Sequence, residues 1–262
     1  MKIRTSRLLF YKIRIVFTVT IVMLFLYNII NAQDNKQDEK YYREKGLTKF
    51  KQGKYKDAIS DYTKAIKINP KFETSYLERG ISFYMSGKFN EALNDLSKSI
   101  KLNGKNPFAY YNRALVYNSI DKPDSAIIDY TKSIDLKPNF PEAFINRGLT
   151  YKKIEKYEEA LLDFHKAIEF NPNKSMNYLS RGLVYAKMKN IEMAINDFNK
   201  SLDLEPNNLE ALYNRGMLYY TTEKKDLALK DFENYIARAK NNKKYKETIP
   251  GIEGIIKQLK GQ

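Results

Sequence analysis

Residues 141–174 carry two runs of helical spacing. Phe144, Gly148 and Tyr151 fall on one face of a first predicted helix, and Ala160, Phe164, Ala167 and Ile168 fall on one face of a second. A short polar break between them predicts a tight turn. The phrase that spans the turn, "NRGLTYKKIEKYEEALLDF" from Asn146, keeps returning. It appears as "ERGISFYMSGKFNEALNDL" from Glu78, "SRGLVYAKMKNIEMAINDF" from Ser180 and "NRGMLYYTTEKKDLALKDF" from Asn214.

The recurrence is strict. Gly46, Gly80, Gly148, Gly182 and Gly216 sit on a 34-residue lattice, with Ala114 in the one gap. Ala58, Ala92, Ala126, Ala160, Ala194 and Ala228 form a second column. Tyr62, Leu96, Tyr130, Phe164, Phe198 and Phe232 form a third. Pro70, Pro138, Pro172 and Pro206 form a fourth, broken by Gly104 and Lys240. Six units follow, 39–72, 73–106, 107–140, 141–174, 175–208 and 209–242. Gly53 and Gly87 mark the inter-helix turn in the first two. Pro123 suits the first turn of its second helix, and the Pro column ends each second helix. A glycine inside a helix costs roughly 1 kcal/mol relative to alanine. Close approach of the two helices, with the small Ala column opposite, is expected to offset that cost. Residues 249–260 read as an amphipathic capping helix, with Ile252, Ile255, Ile256 and Leu259 covering the last unit.

Two charged columns run beside the packed faces. Lys45, Arg79, Arg113, Arg147, Arg181 and Arg215 follow the leading aromatic column by three residues. Asp61, Asp95, Asp129, Asp163, Asp197 and Asp231 follow the Ala column by three. A lone charge on an inward face is costly to bury. The two columns are therefore expected to pair as a ladder linking helices, within or between repeats. Anion binding by the arginines or metal binding by the aspartates would need those groups unpaired.

The chain resembles the tetratricopeptide-repeat (TPR) family over about 204 of its 262 residues. The resemblance rests on the 34-residue helix-turn-helix period and on the large-residue/Gly/Tyr and Ala/aromatic/Pro patterns. The first helix starts on Tyr42, Tyr76, Tyr110, Phe144, Tyr178 and Leu212. The sixth unit departs most, with Lys225 in place of an aromatic, Tyr235 in place of a small residue, and no Pro. Many TPR proteins carry apolar residues where this chain has its Arg and Asp columns. The resemblance implies an all-α fold, a right-handed α-solenoid of six helix-turn-helix repeats with a capping helix. It also implies that the first helices line a concave face that grips partner segments. Residues one step off the packed face are the candidates there: Leu77, Tyr84, Phe108, Tyr111, Asn112, Leu115, Asn118, Asn146, Lys153, Tyr213, Asn214 and Tyr220. Asparagines can bond a peptide backbone and aromatics can take its side chains. Several of these tyrosines could equally pack between repeats. Where the family's chaperone-carboxylate clamp has its first Asn, this chain has Leu47, Ile81, Leu115, Leu149, Leu183 and Met217. That function is not expected.

The N-terminus changes where this scaffold works. Residues 1–32 hold five bases and no acid, and an uncharged run from Ile15 to Ile30 follows the basic start. This is the layout of a secretory signal, with cleavage between Ala32 and Gln33. The alternative is an uncleaved anchor, for which the 16-residue run is short. Both put the rest of the chain outside the cytoplasm, in the periplasm or on the outer face of the inner membrane. Residues 33–38 form a linker.

Composition excludes several chemistries. There is no Cys and one His, so disulfides, thiol chemistry and clustered His or Cys metal ligation are ruled out. The net charge of +15 is concentrated at the ends, while 107–208 has fourteen residues of each sign. A nucleic-acid binder presents a continuous basic stripe instead. His165 follows the packed Phe164 and reads as a surface residue. Glu158–Glu159 and Asp121–Asp124 stand at helix starts, where carboxylates suit the local dipole. No phosphate-cradling glycine loop and no nucleophile beside a base is present. The expectation is an exported, non-catalytic adaptor without a cofactor, binding a protein or peptide segment and no nucleic acid. The alternatives are a membrane-anchored assembly factor whose basic first repeat (Lys40, Arg43, Lys49, Lys51, Lys54, Lys56) faces lipid, and a glycan-binding module.

Overall fold

The computed structural model describes residues 38–240 and 245–261, with residues 22, 23, 25 and 242 as isolated positions. The junction at Ala32 and Gln33, and nearly all of the expected leader, lie outside the described residues. Thirteen helices and no strand occur among the described residues. They are α1 (38–51), α2 (Tyr55–Ile68), α3 (Glu73–Met85), α4 (Phe89–Leu102), α5 (Pro107–Ser119), α6 (Pro123–Leu136), α7 (Pro141–Lys153), α8 (Tyr157–Phe170), α9 (Ser175–Lys187), α10 (Ile191–Leu204), α11 (Leu209–Thr221), α12 (Lys225–Ala239) and α13 (Ile249–Lys260). The chain divides into two compact units between Lys105 and Asn106, with α1–α4 in the first and α5–α13 in the second.

Each hairpin turns on one residue in the left-handed region. Gly53 and Gly87 hold φ of +73° and +76° there, where a Cβ is unfavourable. Asp121, Glu155, Lys189 and Glu223 occupy the same lattice position with φ between 56° and 61°. The turn is thus imposed on Glu155, Lys189 and Glu223, which do not favour it, at roughly 1–2 kcal/mol each, while Asp121 tolerates it better. Backbone hydrogen bonds offset the cost. The next amide reaches back over the turn, as in Lys122 N to Tyr117 O and Asn190 N to Tyr185 O, both 2.9 Å.

The lattice glycines have a different neighbour from the one expected. A Cβ on Gly182 would lie 2.8 Å from the Phe198 ring, and one on Gly216 would lie 2.9 Å from the Phe232 ring. The crowding comes from the aromatic column and the Asp Cβ atoms, not from the Ala column. At these glycines a Cβ would press on the facing Tyr, Phe or Leu side chain, which would have to shift to admit it. Ala114 is accommodated against Tyr130 in the one unit with a methyl there.

Second helices α2, α4, α6, α8 and α10 all stop on a residue with φ between −131° and −143°. Four of these residues precede proline. Asn103 precedes Gly104 and adopts the same shape, so proline reinforces a geometry that packing already requires. Without a proline, Lys240 stays helical at φ −52° and α12 runs 15 residues, against 14 in its counterparts.

The core follows the columns. Ala126, Ala160, Ala194 and Ala228 are fully buried, as are Tyr130, Phe164, Phe198 and Phe232. Each such ring contributes about 2 kcal/mol by leaving water. In the second unit α5 touches α7, α7 touches α9 and α9 touches α11, so the first helices lie side by side. Ile252 of α13 is buried in the last core, and Ile255, Ile256 and Leu259 pack against it.

Candidate functional site

The charged columns meet inside each repeat. Arg79 donates from Nε and Nη2 to the two oxygens of Asp95 at 2.6 and 2.9 Å. Arg113–Asp129, Arg147–Asp163, Arg181–Asp197 and Arg215–Asp231 repeat this two-pronged bond, with every distance between 2.7 and 2.9 Å. The fork matches the carboxylate plane, the strongest geometry available to this pair. Aromatic rings of the same helix flank the guanidinium. Arg147 lies 5.7 Å from Phe144 and 5.9 Å from Tyr151. The hydrogen bonds and charge of Asp129 raise the Arg113 pKa above its ordinary value, against the opposing effect of burial. Each arginine here is held by its aspartate, which leaves neither group unpaired for an anion or a metal. Among the described residues no cluster of acidic or His side chains is placed to hold a metal ion.

The first repeat differs. Lys45 does not reach Asp61, and its ammonium lies over the Tyr41 ring. Lys49, one turn on, comes within 2.6 Å of Asp61 Oδ2. Lysine presents a single ammonium in place of a fork, so this repeat has no two-pronged bond to its aspartate.

A third column, two residues after each aspartate, also takes part. Arg79 Nη1 donates to Thr63 Oγ1 at 3.0 Å, Arg147 Nη1 to Thr131 Oγ1 at 2.8 Å, and Arg215 Nη1 to Asn199 Oδ1 at 2.6 Å. Arg181 Nη1 meets His165 Nδ1 at 2.9 Å. Each of these arginines therefore joins its own second helix to the preceding one. Glu233 ends the column and pairs with Lys260 of α13 at 2.7 Å. The signal was available in the sequence as an unbroken run of hydrogen-bond acceptors at that offset. His165 lies at the surface, as expected, and its ring is held on both nitrogens. Its Nε2 also lies 3.2 Å from the Tyr185 hydroxyl, and burial and the Arg181 charge lower its pKa.

Glu78, from the phrase that opens at that residue, is brought into a buried setting. Its Oε1 accepts from Arg43 at 2.9 Å, while Oε2 is buried without a hydrogen-bond partner. Burial pushes its carboxyl up to about 7, with Arg43 opposing.

The twelve candidate contact residues separate into two groups. Leu77 is 8% exposed and belongs to the core, not to a contact surface. Asn118 spends its amide on Tyr130 and Thr150, which ties adjacent repeats together. Lys153 pairs with Asp121, and Tyr220 donates to Gln258 of α13. Tyr84 packs its ring against Phe89. Phe108 remains 44% exposed. Tyr111, Asn112, Leu115, Asn146, Tyr213 and Asn214 are half-buried. Asn112, Asn146 and Asn214 each donate to the carbonyl one turn back, at 2.7, 2.9 and 2.7 Å. Asn146 also donates to the Tyr111 hydroxyl at 2.9 Å. These bonds hold the amides in a fixed orientation along the first helices.

Family models described as the tetratricopeptide repeat match residues 109–140, 141–174, 178–208 and 209–242, and a TPR repeat model matches 46–87 and 82–120. Among curated proteins none matches. A solved tetratricopeptide repeat protein from Parabacteroides merdae is 23% identical, covers 86% of this chain and 87% of its own, and superposes with a TM-score of 0.68. The MamA crystal structure is 27% identical over 62% of this chain and 94% of its own, at a TM-score of 0.58. YrrB, described as a TPR protein with an unusual peptide-binding site, is 22% identical over 70% of this chain and 94% of its own, at 0.60.

Proposed function

We propose that this chain, which belongs to the tetratricopeptide-repeat family, grips an extended or helical segment of another protein along its first helices. Membership of that family makes the chain a protein-interaction repeat scaffold. One observation supports a grip along the first helices. The charged columns are consumed in the scaffold, while Phe108, Tyr111, Asn112 and Leu115 stay accessible on one helix, with Asn112 oriented by its own backbone bond. Aromatic and amide groups without a nucleophile or a metal cluster suit binding, not turnover. Its work is non-catalytic. The peptide-binding site named for YrrB supports the same reading at the level of fold.

The basic start and apolar run before Ala32 support export, and we place the repeats in the periplasm or on the outer face of the inner membrane. The membrane-facing alternative loses ground in the first repeat. Arg43 is paired with Glu78 and Lys49 with Asp61, which leaves fewer cations for head groups.

Capture of tagged protein from its own cells by mild cross-linking tests the proposal, with a Tyr111→Ala, Asn112→Ala bait alongside. One envelope protein captured by the wild type and lost by the variant is the expected result. Capture of the same partner by both baits would refute the groove. Enrichment of lipid or glycan alone would refute the adaptor.

A further inference from the structure

The sixth repeat departs from the pattern where its neighbours stay regular. Tyr235 stands where Ala65, Ser99, Ser133, Ala167 and Ser201 stand in the other units. Tyr245 falls one period after Ala211. These two rings and Tyr213 wall a cavity of about 230 Å³, completed by Leu209, Glu210 and Thr248. The Tyr213 and Tyr235 centroids are 6.0 Å apart at 51°, and those of Tyr235 and Tyr245 are 6.0 Å apart at 77°. Rings at such angles form walls and do not stack. Tyr235 is 2% exposed, and its hydroxyl is held 2.7 Å from Thr248 Oγ1, so the inner wall is fixed. Glu210 is exposed beside it, and its carboxylate makes no ion pair among the described residues.

We propose that this cavity takes a cationic side chain, the guanidinium or ammonium of an Arg or Lys. Aromatic faces carry negative potential and attract a cation placed over them. A carboxylate at the mouth adds charge and a hydrogen-bond acceptor, and it repels anions. The volume is below the range of drug-sized pockets and suits one side chain. Tyr213 also lies on α11, one of the first helices. The cation therefore belongs to the segment gripped there, and in that respect the inference rests on the proposed function. It supplies what that reading lacks, a chemical requirement on the partner: a basic residue that reaches the C-terminal repeat.

The test uses the full chain, titrated with Nα-acetyl-arginine amide and with its neutral isostere Nα-acetyl-citrulline amide, and followed by tyrosine-ring NMR signals. The arginine probe should shift Tyr213 and Tyr245 and bind at least about fivefold more tightly than citrulline. Glu210→Gln, an exposed change, should remove most of that preference. Tyr213→Leu should lose binding, and Tyr213→Phe should retain it. Equal affinity for the two probes, or no loss in Glu210→Gln, overturns the cation site. A cross-linked partner that is lost by Tyr111→Ala, Asn112→Ala and held equally by wild type and by Glu210→Gln, Tyr213→Leu also overturns it, while sparing the adaptor reading. Arginine selectivity with no protein captured supports the cavity and removes the adaptor instead.

Discussion

Arg181 donates through Nε and Nη2 to Asp197 within its repeat and meets His165 Nδ1 of the preceding repeat at 2.9 Å. One guanidinium thus joins three helices. The contact requires an unprotonated Nδ1 facing the arginine, because a protonated ring would place two cations against each other.

This makes one rung sensitive to pH. His165 has a pKa below its usual value in the folded chain, through burial and Arg181. The unfolded chain therefore takes up the proton first. The rung's stability is fully present above about pH 6.5 and is lost as pH falls below it. His165→Asn, which copies the acceptor at Asn199, should flatten this part of a thermal-melt profile between pH 5 and pH 8. An unchanged slope would show that His165 is not its source.

Glu78 should act in the opposite sense. Its folded carboxyl sits at about 7, above the ordinary value of 4.5. The folded chain binds the proton more tightly, so its contribution is complete below about pH 4.5 and is lost as pH rises through 7. Glu78→Gln should stabilise the first unit above pH 7 by on the order of 2 kcal/mol and leave acid stability unchanged. Denaturant melts at pH 5 and pH 8 would read the difference.

Arg147→Ala strands Asp163, whose side chain is 4% exposed. Removing one partner of a buried pair costs roughly 3–5 kcal/mol. Asp163→Ala alone should also destabilise, and the double variant should cost much less than the sum. A double-mutant cycle without coupling would show that the bond adds nothing beyond the separate groups.

Lys189 holds φ of 60° at a turn where Gly53 and Gly87 stand in the first repeats. Lys189→Gly should relieve left-handed strain and raise stability by up to about 1 kcal/mol, less the glycine's greater freedom when unfolded. Gly87→Lys should do the reverse. A melt shifted downward by Lys189→Gly would mean that its side chain carries a contact worth more than the strain.

The helical repeats, their period, their aromatic core and the capping residues of α13 were all legible in the order of residues. Those features depend on local spacing, and a period repeated six times admits no other register. The sequence also placed arginine and aspartate on inward faces, where burial cost requires pairing. It did not separate Phe108 from Leu77, since both stand one step off the packed face, and only the neighbouring helix decides which is covered. It missed the reach of Nη1 to the preceding repeat and the raised carboxyl of Glu78, because each depends on what an adjacent helix brings within about 3 Å. The cavity at Tyr235 was visible only as a broken pattern. Its walls come from three segments whose meeting is decided by how the chain closes over its last repeat, where α13 takes the place of a helix pair that would continue the lattice.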